Sequence, residues 1–462
     1  MLLAAVALTA VVAALAVPLG AGRSGATDRD LTPARLGTAT TDAGRGVVAR
    51  DATSGPGRTA AVRELLDRRA AAVLARDRDA FLATVDPHAP AFAGRQAALF
   101  DALAEVPLSS WRYELDPTRE ADPGDLATRH DAPVWLPQVV LRYGHPDDGT
   151  APLVASQVLT LVLRPEGWRV AADDEVETPV RTARALWDHG PVVAVTGRRV
   201  LVLGHPEQRA VLERLAEETD RVVPDVTAAW GEDWSQRVVV LVPRDHEELD
   251  RLLDGQVDNT GLAALAVAQR EGGDPRRPVG DRVVVAPEAL ARLGPVGRRV
   301  VLTHEVVHLA TRRSSAPPVP LWLVEGYAHH VAHRAAGVEP DPAGTGLARA
   351  VAAAGLPDSL PGTDGFRGAE DLTVVYELAR LAVADLAERY GDDGVVRLYR
   401  RLGAEPAGRD PDAAWRDALR EVLGTTPEAV LRDWRAAVAR AVAPTADGRP
   451  PGEVPPVAAA AP

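Results

Sequence analysis

The pattern of hydrophobic and polar residues divides this chain of 462 residues into five segments. Residues 1–22 are almost wholly apolar, whereas residues 23–58 are rich in Gly, Thr, Asp and Arg and show no periodicity. Residues 59–178 begin with apolar residues at helical spacing and continue with strand-like runs, and residues 187–442 alternate strands with helices before turning entirely helical. Pro and Ala dominate residues 443–462. We therefore predict an apolar leader, a flexible linker, two folded domains and a disordered tail.

The apolar segment Leu2–Ala21 is long enough to cross a bilayer, because about twenty consecutive apolar residues span the hydrocarbon core. The small residues at its end also match the end of a cleaved signal peptide. No basic residue precedes the segment, so the pattern does not decide between anchor and signal peptide. We therefore expect an extracytoplasmic protein that is either secreted or membrane-anchored by this segment.

Segment 59–178 is predicted to form helices first and an antiparallel sheet after them. The predicted elements are helices at Val62–Ala75, Arg78–Val85 and Ala91–Val106, and strands at Trp135–Tyr143, Leu153–Leu163 and Gly167–Asp173. This order is similar to the NTF2-like or SnoaL-like α+β cone fold, a resemblance of pattern without a diagnostic motif. Asp86, His88, His130 and His145 fall in predicted turns and loops, so we interpret them as ordinary surface residues. We expect this domain to be an accessory or interaction module.

Segment 187–442 is predicted to be a mixed α/β region followed by helices. Strands are predicted at Pro191–Thr196, Arg199–Gly204, Gln236–Val242, Gly261–Gln269 and Arg282–Ala286, with helices at Gln208–Trp230 and His246–Leu253. Later helices are predicted at Gly346–Ala354, Asp371–Tyr390, Gly394–Leu402, Pro411–Val422 and Pro427–Val442.

The sequence HEVVH, which begins at His304, carries the most specific chemistry of the chain. His304 and His308 lie four residues apart in an apolar run that predicts a buried helix, so their ring nitrogens can converge on one cation. A Pro-rich turn follows, and Glu325 stands near the start of the next predicted helix. A catalytic zinc takes three protein ligands and leaves a fourth position for water, so we predict a Zn²⁺ site formed by His304, His308 and Glu325. His329, one turn further along the same face, is the alternative third ligand.

HEVVH followed by WLVEGYA resembles the paired motif of the gluzincin metallopeptidases, the clan of thermolysin and the M1 aminopeptidases, in their short peptidase MA-like form. The resemblance covers about Trp187 to Val442, and the strong match is confined to Arg298–Arg334. It implies a zinc peptidase with a mixed α/β lobe, an all-α C-terminal lobe and a peptide or protein substrate. The WLVEGYA setting also favours Glu325 over His329 as the third ligand.

The same resemblance implies roles for residues around the metal. Glu305 becomes the general base, Tyr376 a phenol donor to the developing alkoxide, and Gly261–Ala268 an exposed edge strand along which an extended peptide lies. The alternatives are a core tyrosine at position 376 and an ordinary Ala-rich core strand or helix at 261–268. The family has an acidic residue at the position of His329 to orient a ligand histidine, and this chain departs from that pattern. No sequence for anchoring a free amino terminus is visible, which favours an endopeptidase over an exopeptidase.

Composition narrows the class of function. Cysteine is absent, so a metal can be bound only through nitrogen and oxygen ligands. The formal net charge of −13 argues against nucleic-acid binding, which needs a basic surface. The alternative to an enzyme is a catalytically inactive, metallopeptidase-like binding or scaffold protein at the cell surface. A scaffold has no need of a base such as Glu305, so the intact set of residues favours the enzyme.

Overall fold

The structure is a computed structural model that describes residues 55–146, 151–176, 181–253, 262–270, 278–338, 346–368 and 372–443. The predictions for Leu2–Ala21, for the linker as far as residue 54 and for the tail from residue 444 lie outside the described residues. The described chain forms two compact units: the first comprises the described residues within 55–146 and 152–192, and the second comprises residue 151 and the described residues within 193–443. Both contain helices and strands, in agreement with the predicted mixture.

None of the described helices is both long enough and apolar enough to cross a bilayer. The segment in which an anchor is predicted, Leu2–Ala21, is outside the described residues. The prediction of a membrane-anchored, extracytoplasmic protein is therefore corrected, because the structure gives no support to anchoring by an apolar helix.

In the first unit, helices pack against two antiparallel three-stranded sheets with strand orders β1-β3-β4 and β2-β5-β6. The helices are α1 (Gly55–Ala75), α2 (Arg78–Leu82), α3 (Pro90–Ala102) and α4 (Leu126–His130). The strands are β1 (Ser110–Glu120), β2 (Val134–Trp135), β3 (Pro137–Gly144), β4 (Leu153–Val158), β5 (Thr160–Arg164) and β6 (Gly167–Ala172). Val62, Leu65 and Leu66 of α1 share a hydrophobic core with Trp135 and Trp168 from the sheet.

The sheets differ from the predicted three strands in two ways. The predicted strands Trp135–Tyr143 and Leu153–Leu163 are each divided, because the chain passes from one sheet to the other at the buried residues Leu136 and Leu159. An uninterrupted apolar run hides such a bend. Strand β1 was not predicted, since Pro117 and several charged residues interrupt its pattern, and its pairing with β3 is irregular at that point.

The interpretation of four polar residues as surface residues holds only for His88, which is exposed. Asp86 is fully buried and accepts hydrogen bonds at 3.1 and 2.6 Å from Nε and Nη2 of Arg164. His145 is also buried, with Nδ1 2.7 Å from the carbonyl oxygen of Pro107, and half-buried His130 lies 2.9 Å from Glu175. These partners are 38 to 78 residues away along the chain, so no local pattern reveals them.

The second unit contains a five-stranded mixed sheet with the order β10-β11-β9-β8-β7. Its strands are β7 (Val193–Thr196), β8 (Val200–Gly204), β9 (Val238–Val242), β10 (Ala264–Arg270) and β11 (Pro278–Val285). Strands β8, β9 and β11 pair in parallel, whereas β7 and β10 are antiparallel to their neighbours. β10 ends the sheet formed by the described residues, close to the predicted strand Gly261–Ala268, but residues 264–267 are buried, so the predicted exposure of this strand is not confirmed.

Helices cover this sheet and form the rest of the second unit. They are α5 (Arg209–Trp230), α6 (His246–Leu252), α7 (Pro287–Ala291), α8 (Pro295–Thr311), α9 (Leu321–Ala336), α10 (Leu347–Ala354), α11 (Gly365–Gly368), α12 (Leu372–Tyr390), α13 (Asp392–Gly403), α14 (Pro411–Ala418) and α15 (Pro427–Ala441). Every regular element described after Glu325 is helical, as predicted. Helices α8, α9 and α12 contribute residues to one hydrophobic core that includes the sheet.

Candidate metal centre

Helix α8 presents His304, Glu305 and His308 to the interior. It begins with Pro295 in its first turn, where proline removes no intrahelical hydrogen bond. Every residue from Val300 to Thr311 is buried, so the three polar side chains lie within an apolar helix. Polar groups in such a position require partners that compensate for lost water.

Helix α9 supplies the third polar residue, Glu325. The helix starts directly after Pro320, and each residue from Trp322 to Ala332 is buried. At Gly326, an added Cβ would lie 2.4 Å from the backbone oxygen of Ala379 in α12. Only glycine therefore permits this close packing of α9 on α12, and the packing fixes the turn that carries Glu325.

The donor atoms of His304, His308 and Glu325 converge. The two Nε2 atoms are 3.0 Å apart, and Oε2 of Glu325 lies 3.4 Å from Nε2 of His304 and 3.5 Å from Nε2 of His308. Ligands at tetrahedral angles and bond lengths of about 2.0–2.1 Å are separated by about 3.3–3.4 Å. Among the described residues, these three form the group that could hold a metal ion. Their spacing matches a four-coordinate zinc site.

Glu325 is a buried carboxylate that lacks hydrogen-bond donors. Its side chain is 1 % exposed, and neither oxygen receives a hydrogen bond from the described chain. Burial by itself would raise the pKa of Glu325, but the adjacent His308 and His304 rings outweigh burial and lower the pKa to about 2. The group is thus negatively charged at neutral pH, where a buried charge needs a partner. Two imidazole nitrogens and one such oxygen are a donor set that fits Zn²⁺.

Glu305 lies between His304 and His308 in α8, but its carboxyl group contacts strand β10. Its Oε2 accepts a hydrogen bond of 2.7 Å from the backbone N–H of Ala266 in β10. Burial raises the pKa of Glu305 to about 7, while the nearby His304 ring opposes that rise. The carboxyl group therefore lies beside the three donors without joining them, and it is held by the edge strand.

His329, the alternative ligand, is outside the converging set. Its ring meets that of His304 edge to face, with centroids 5.6 Å apart, and its Nδ1 is buried without a hydrogen-bond partner in the described chain. Nδ1 of His304 is equally unpartnered. Burial lowers the pKa of His329 well below its ordinary value, so the ring is neutral. Glu325 supplies the third donor of the cluster, and His304 lacks the acceptor that usually orients a ligand imidazole.

Tyr376 in α12 packs next to these histidines. Its side chain is buried, and its ring centroid lies 6.1 Å from that of His304 and 5.7 Å from that of His329. Phe366 contacts its other side, with centroids 5.4 Å apart. Tyr376 therefore belongs to the wall of the site, and its role as an alkoxide donor stays a prediction.

The structure adds two supports that the sequence did not indicate. One is the N–H of Ala266, a backbone donor that no side-chain pattern can reveal. The other is Arg312, one residue past α8, whose Nε donates to Oδ1 of Asp281 in β11 at 3.0 Å. This pair joins the end of α8 to the sheet and, since its partners are 31 residues apart, it lacks a local signature.

Comparison with known proteins gives likeness in structure only. No family model matches the chain, and no curated protein matches it either. Yeast LTA4 hydrolase in complex with bestatin is similar over 58 % of this chain and 40 % of its own, with 16 % sequence identity and a TM-score of 0.34.

Two variant M1 zinc metallopeptidases are also similar. A two-domain enzyme bound to L-tryptophan shares 15 % identity with a TM-score of 0.29, covering 61 % of this chain and 60 % of its own. One from Deinococcus radiodurans shares 13 % identity with a TM-score of 0.30, covering 70 % of this chain and 61 % of its own. The chain thus matches 40 to 61 % of the length of these structures. At such low TM-scores, evidence for a function has to come from the site itself.

Proposed function

We propose that this protein is a zinc-dependent peptidase that hydrolyses peptide bonds. The observation that carries the proposal is the convergence of the His304 and His308 Nε2 atoms with a charged, unpartnered Glu325 carboxylate in a buried site. A zinc ion held by these residues would lower the pKa of a bound water molecule toward neutrality and would polarise the carbonyl group of the substrate.

Glu305 is the general base of this proposal. Its Oε2 is engaged by the Ala266 N–H, so the proton of the attacking water is taken up at Oε1 and passed to the leaving amine. The hydrogen bond to β10 fixes the carboxylate in position before substrate arrives, which reduces the reorganisation needed in the transition state.

The edge of β10 that pairs with no strand in the described part of the chain is the proposed substrate-binding surface. The backbone oxygen of Ala263 accepts a hydrogen bond from the N–H of Ala286, so Ala263 faces β11 and the alternate residues Ala264 and Ala266 face the open edge. The N–H of Ala266 reaches Glu305 on that side. An extended peptide added to this edge would therefore lie next to the base, which supports an endopeptidase whose substrate is a peptide or protein.

Finer assignments are part of the same proposal. Tyr376 donates its phenol hydrogen to the developing alkoxide, and residues 187–442 form a gluzincin-type peptidase domain. We further propose an NTF2-like domain at residues 59–178, since helices followed by antiparallel sheets support that assignment.

The decisive experiment compares wild type with Glu305→Gln, an uncharged isostere. Wild type should contain one zinc per chain and cleave casein or a quenched-fluorescence peptide library. Glu305→Gln should keep the zinc and lose about 10²- to 10⁴-fold in rate, the usual contribution of a general base. Glu388→Gln, which changes an exposed glutamate of α12, is the matched control and should leave the rate unchanged.

The alternative is an inactive scaffold that retains the metal. Stoichiometric zinc with no cleavage by wild type, on any peptide of the library, would favour that alternative. Absence of zinc from both proteins would contradict the metal centre itself.

A further inference from the structure

Arg69, in α1 of the first unit, is a buried guanidinium. Its residue exposure is 5 %. Its Nε donates to Oη of Tyr113 at 3.3 Å, its Nη1 to Oγ1 of Thr84 at 2.9 Å, and its Nη2 to Oε1 of Gln96. The face of the guanidinium covers the Phe81 ring, with Cζ 3.9 Å from the ring centroid. Each of these partners is electrically neutral.

No carboxylate lies within ion-pair distance of Arg69 in the described chain. The nearest acidic residue in sequence to Thr84, Asp86, is paired with Arg164 at 2.6 Å. The contrast with Arg380 is informative, because Arg380 is the other buried arginine of the described residues and forms an ion pair with Glu377 at 2.5 Å. Arg69 therefore keeps a positive charge in the interior without a counter-ion among the described residues, which is costlier than the same charge beside an anion.

The hydrogen bonds of Arg69 are also incomplete. A guanidinium has five N–H donors. The bonds to Tyr113, Thr84 and Gln96 use three, one from each nitrogen, which leaves one N–H on each terminal nitrogen. Tyr113, the partner of Nε, is only half-buried, whereas Arg69 itself is buried.

We propose that Arg69 is the centre of a binding site for a small monovalent carboxylate. Two donors on neighbouring nitrogens suit the two oxygens of a carboxylate, which arginine binds in the plane of its guanidinium. Phe81 occupies one face of that plane, so a ligand has to approach the free N–H groups within the plane of the guanidinium. A single buried cation neutralises one negative charge, which disfavours phosphate dianion.

The test measures binding of radiolabelled acetate and benzoate to the full-length chain by equilibrium dialysis, with thermal unfolding in parallel. Sodium chloride at equal ionic strength is the reference, and phosphate is the competing anion. One carboxylate should bind per chain, and at 100 times its Kd it should raise the unfolding midpoint of the first unit by about 4 °C or more. Phosphate should have a smaller effect.

Three variants make the test specific. Arg69→Met should abolish binding, whereas Arg68→Met should not, because Arg68 is the exposed neighbour on the same helix. Gln96→Glu places a carboxylate beside Nη2, so this variant should unfold at a higher temperature without ligand and lose at least ten-fold in acetate affinity. Gln96→Glu also decides the question if Arg69→Met does not fold.

Some results would overturn the proposal. They are the absence of saturable binding to wild type, a midpoint that rises equally with chloride, and undiminished acetate binding by Gln96→Glu. Stronger binding of phosphate than of acetate would overturn the assignment to carboxylates.

Discussion

The two units of this protein each bury a charged side chain that pairs with no arginine or carboxylate among the described residues, and the two charges are opposite in sign. In the second unit the carboxylate of Glu325 faces two imidazole nitrogens and lacks hydrogen-bond donors. In the first unit the guanidinium of Arg69 has only neutral partners. Since an unpaired buried charge destabilises a fold by several kcal/mol, each unit should take its missing partner from solution. Taken together, the two proposals assign a cation to the second unit and an anion to the first.

Removal of zinc by a chelator should produce the largest difference in stability between the two units. Removing zinc should destabilise the second unit by about 4 kcal/mol relative to protein at free zinc 1,000 times the Kd. The first unit should be unaffected, since no zinc donor set is found among its described residues. Hydrogen exchange resolved by peptide measures the two units separately, and added zinc should restore protection.

Equal loss of protection in both units after chelation would break the comparison. It would mean that the metal stabilises something other than the Glu325 site. Unchanged exchange throughout the chain would show that the buried carboxylate has another partner.

A substitution at Gly326 tests whether the packing of α9 on α12 positions Glu325 for zinc binding. Gly326→Ala should destabilise the second unit by about 1–3 kcal/mol, because the new methyl group would lie 2.4 Å from the Ala379 backbone oxygen. Chemical denaturation with and without zinc, together with zinc stoichiometry, gives the measurement. Gly297→Ala in α8 is the control, since its methyl group would meet Leu293 at an ordinary 3.4 Å.

Gly297→Ala should be neutral or slightly stabilising, because alanine is the better helix former by up to about 1 kcal/mol. If both variants behave alike, the tight α9–α12 contact does not position Glu325. If Gly326→Ala loses zinc while remaining folded, the contact is required for the donor geometry.

The sequence predicted contacts between residues that are close together along the chain better than contacts between distant residues. Spacing within HEVVH predicted that His304 and His308 lie together, because a helix converts four-residue spacing into proximity. Glu325 lies on another helix, and the resemblance of WLVEGYA to the family motif favoured it. The pairing of Asp86 with Arg164 was missed, since it joins residues 78 positions apart. Strand β1 was also missed, because Pro117 and charged residues obscure its alternation. The Ala266 N–H that holds Glu305 belongs to the backbone, so no residue type could predict it.

A substitution at His329 can place a negative charge beside the three proposed zinc ligands. His329→Asp would offer a carboxylate to the unpartnered Nδ1 of His304 and orient that ring. We expect zinc to dissociate about 10- to 100-fold more slowly, as such supporting contacts usually provide. The rate is measured by transfer of zinc to a chromogenic chelator.

His329→Asn is the matched control, because it has nearly the same shape as aspartate without the charge. Asparagine should produce a smaller effect than aspartate. Equal rates for both variants would show that shape, and not negative charge, is what the site lacks.

In the first unit, the carboxylate of Asp188 can be neutralised by binding a proton. Oδ2 of Asp188 accepts a hydrogen bond of 2.8 Å from the N–H of Ala185, and Oδ1 lies 3.5 Å from Nη1 of Arg184. Burial nevertheless raises the pKa of Asp188 to about 6. The carboxyl group therefore needs no external cation below that pH, in contrast to Glu325, whose pKa is lowered.

The sign of the resulting pH dependence follows from proton uptake. Between about pH 4 and pH 6 the folded state keeps the Asp188 proton while the unfolded state has lost it, so stability of the first unit falls as pH rises through this window. Asp188→Asn removes the titration and should be more stable than wild type by about 1 kcal/mol at pH 7, because the gain from removing a buried charge exceeds the loss of the Arg184 contact. Thermal unfolding of both proteins at pH 4.5 and 7 provides the measurement, and the advantage of the variant should shrink at the lower pH. An advantage that stays constant across this range would mean that Asp188 is already ionised in the folded protein and relies on Arg184, as the acids of ordinary ion pairs do.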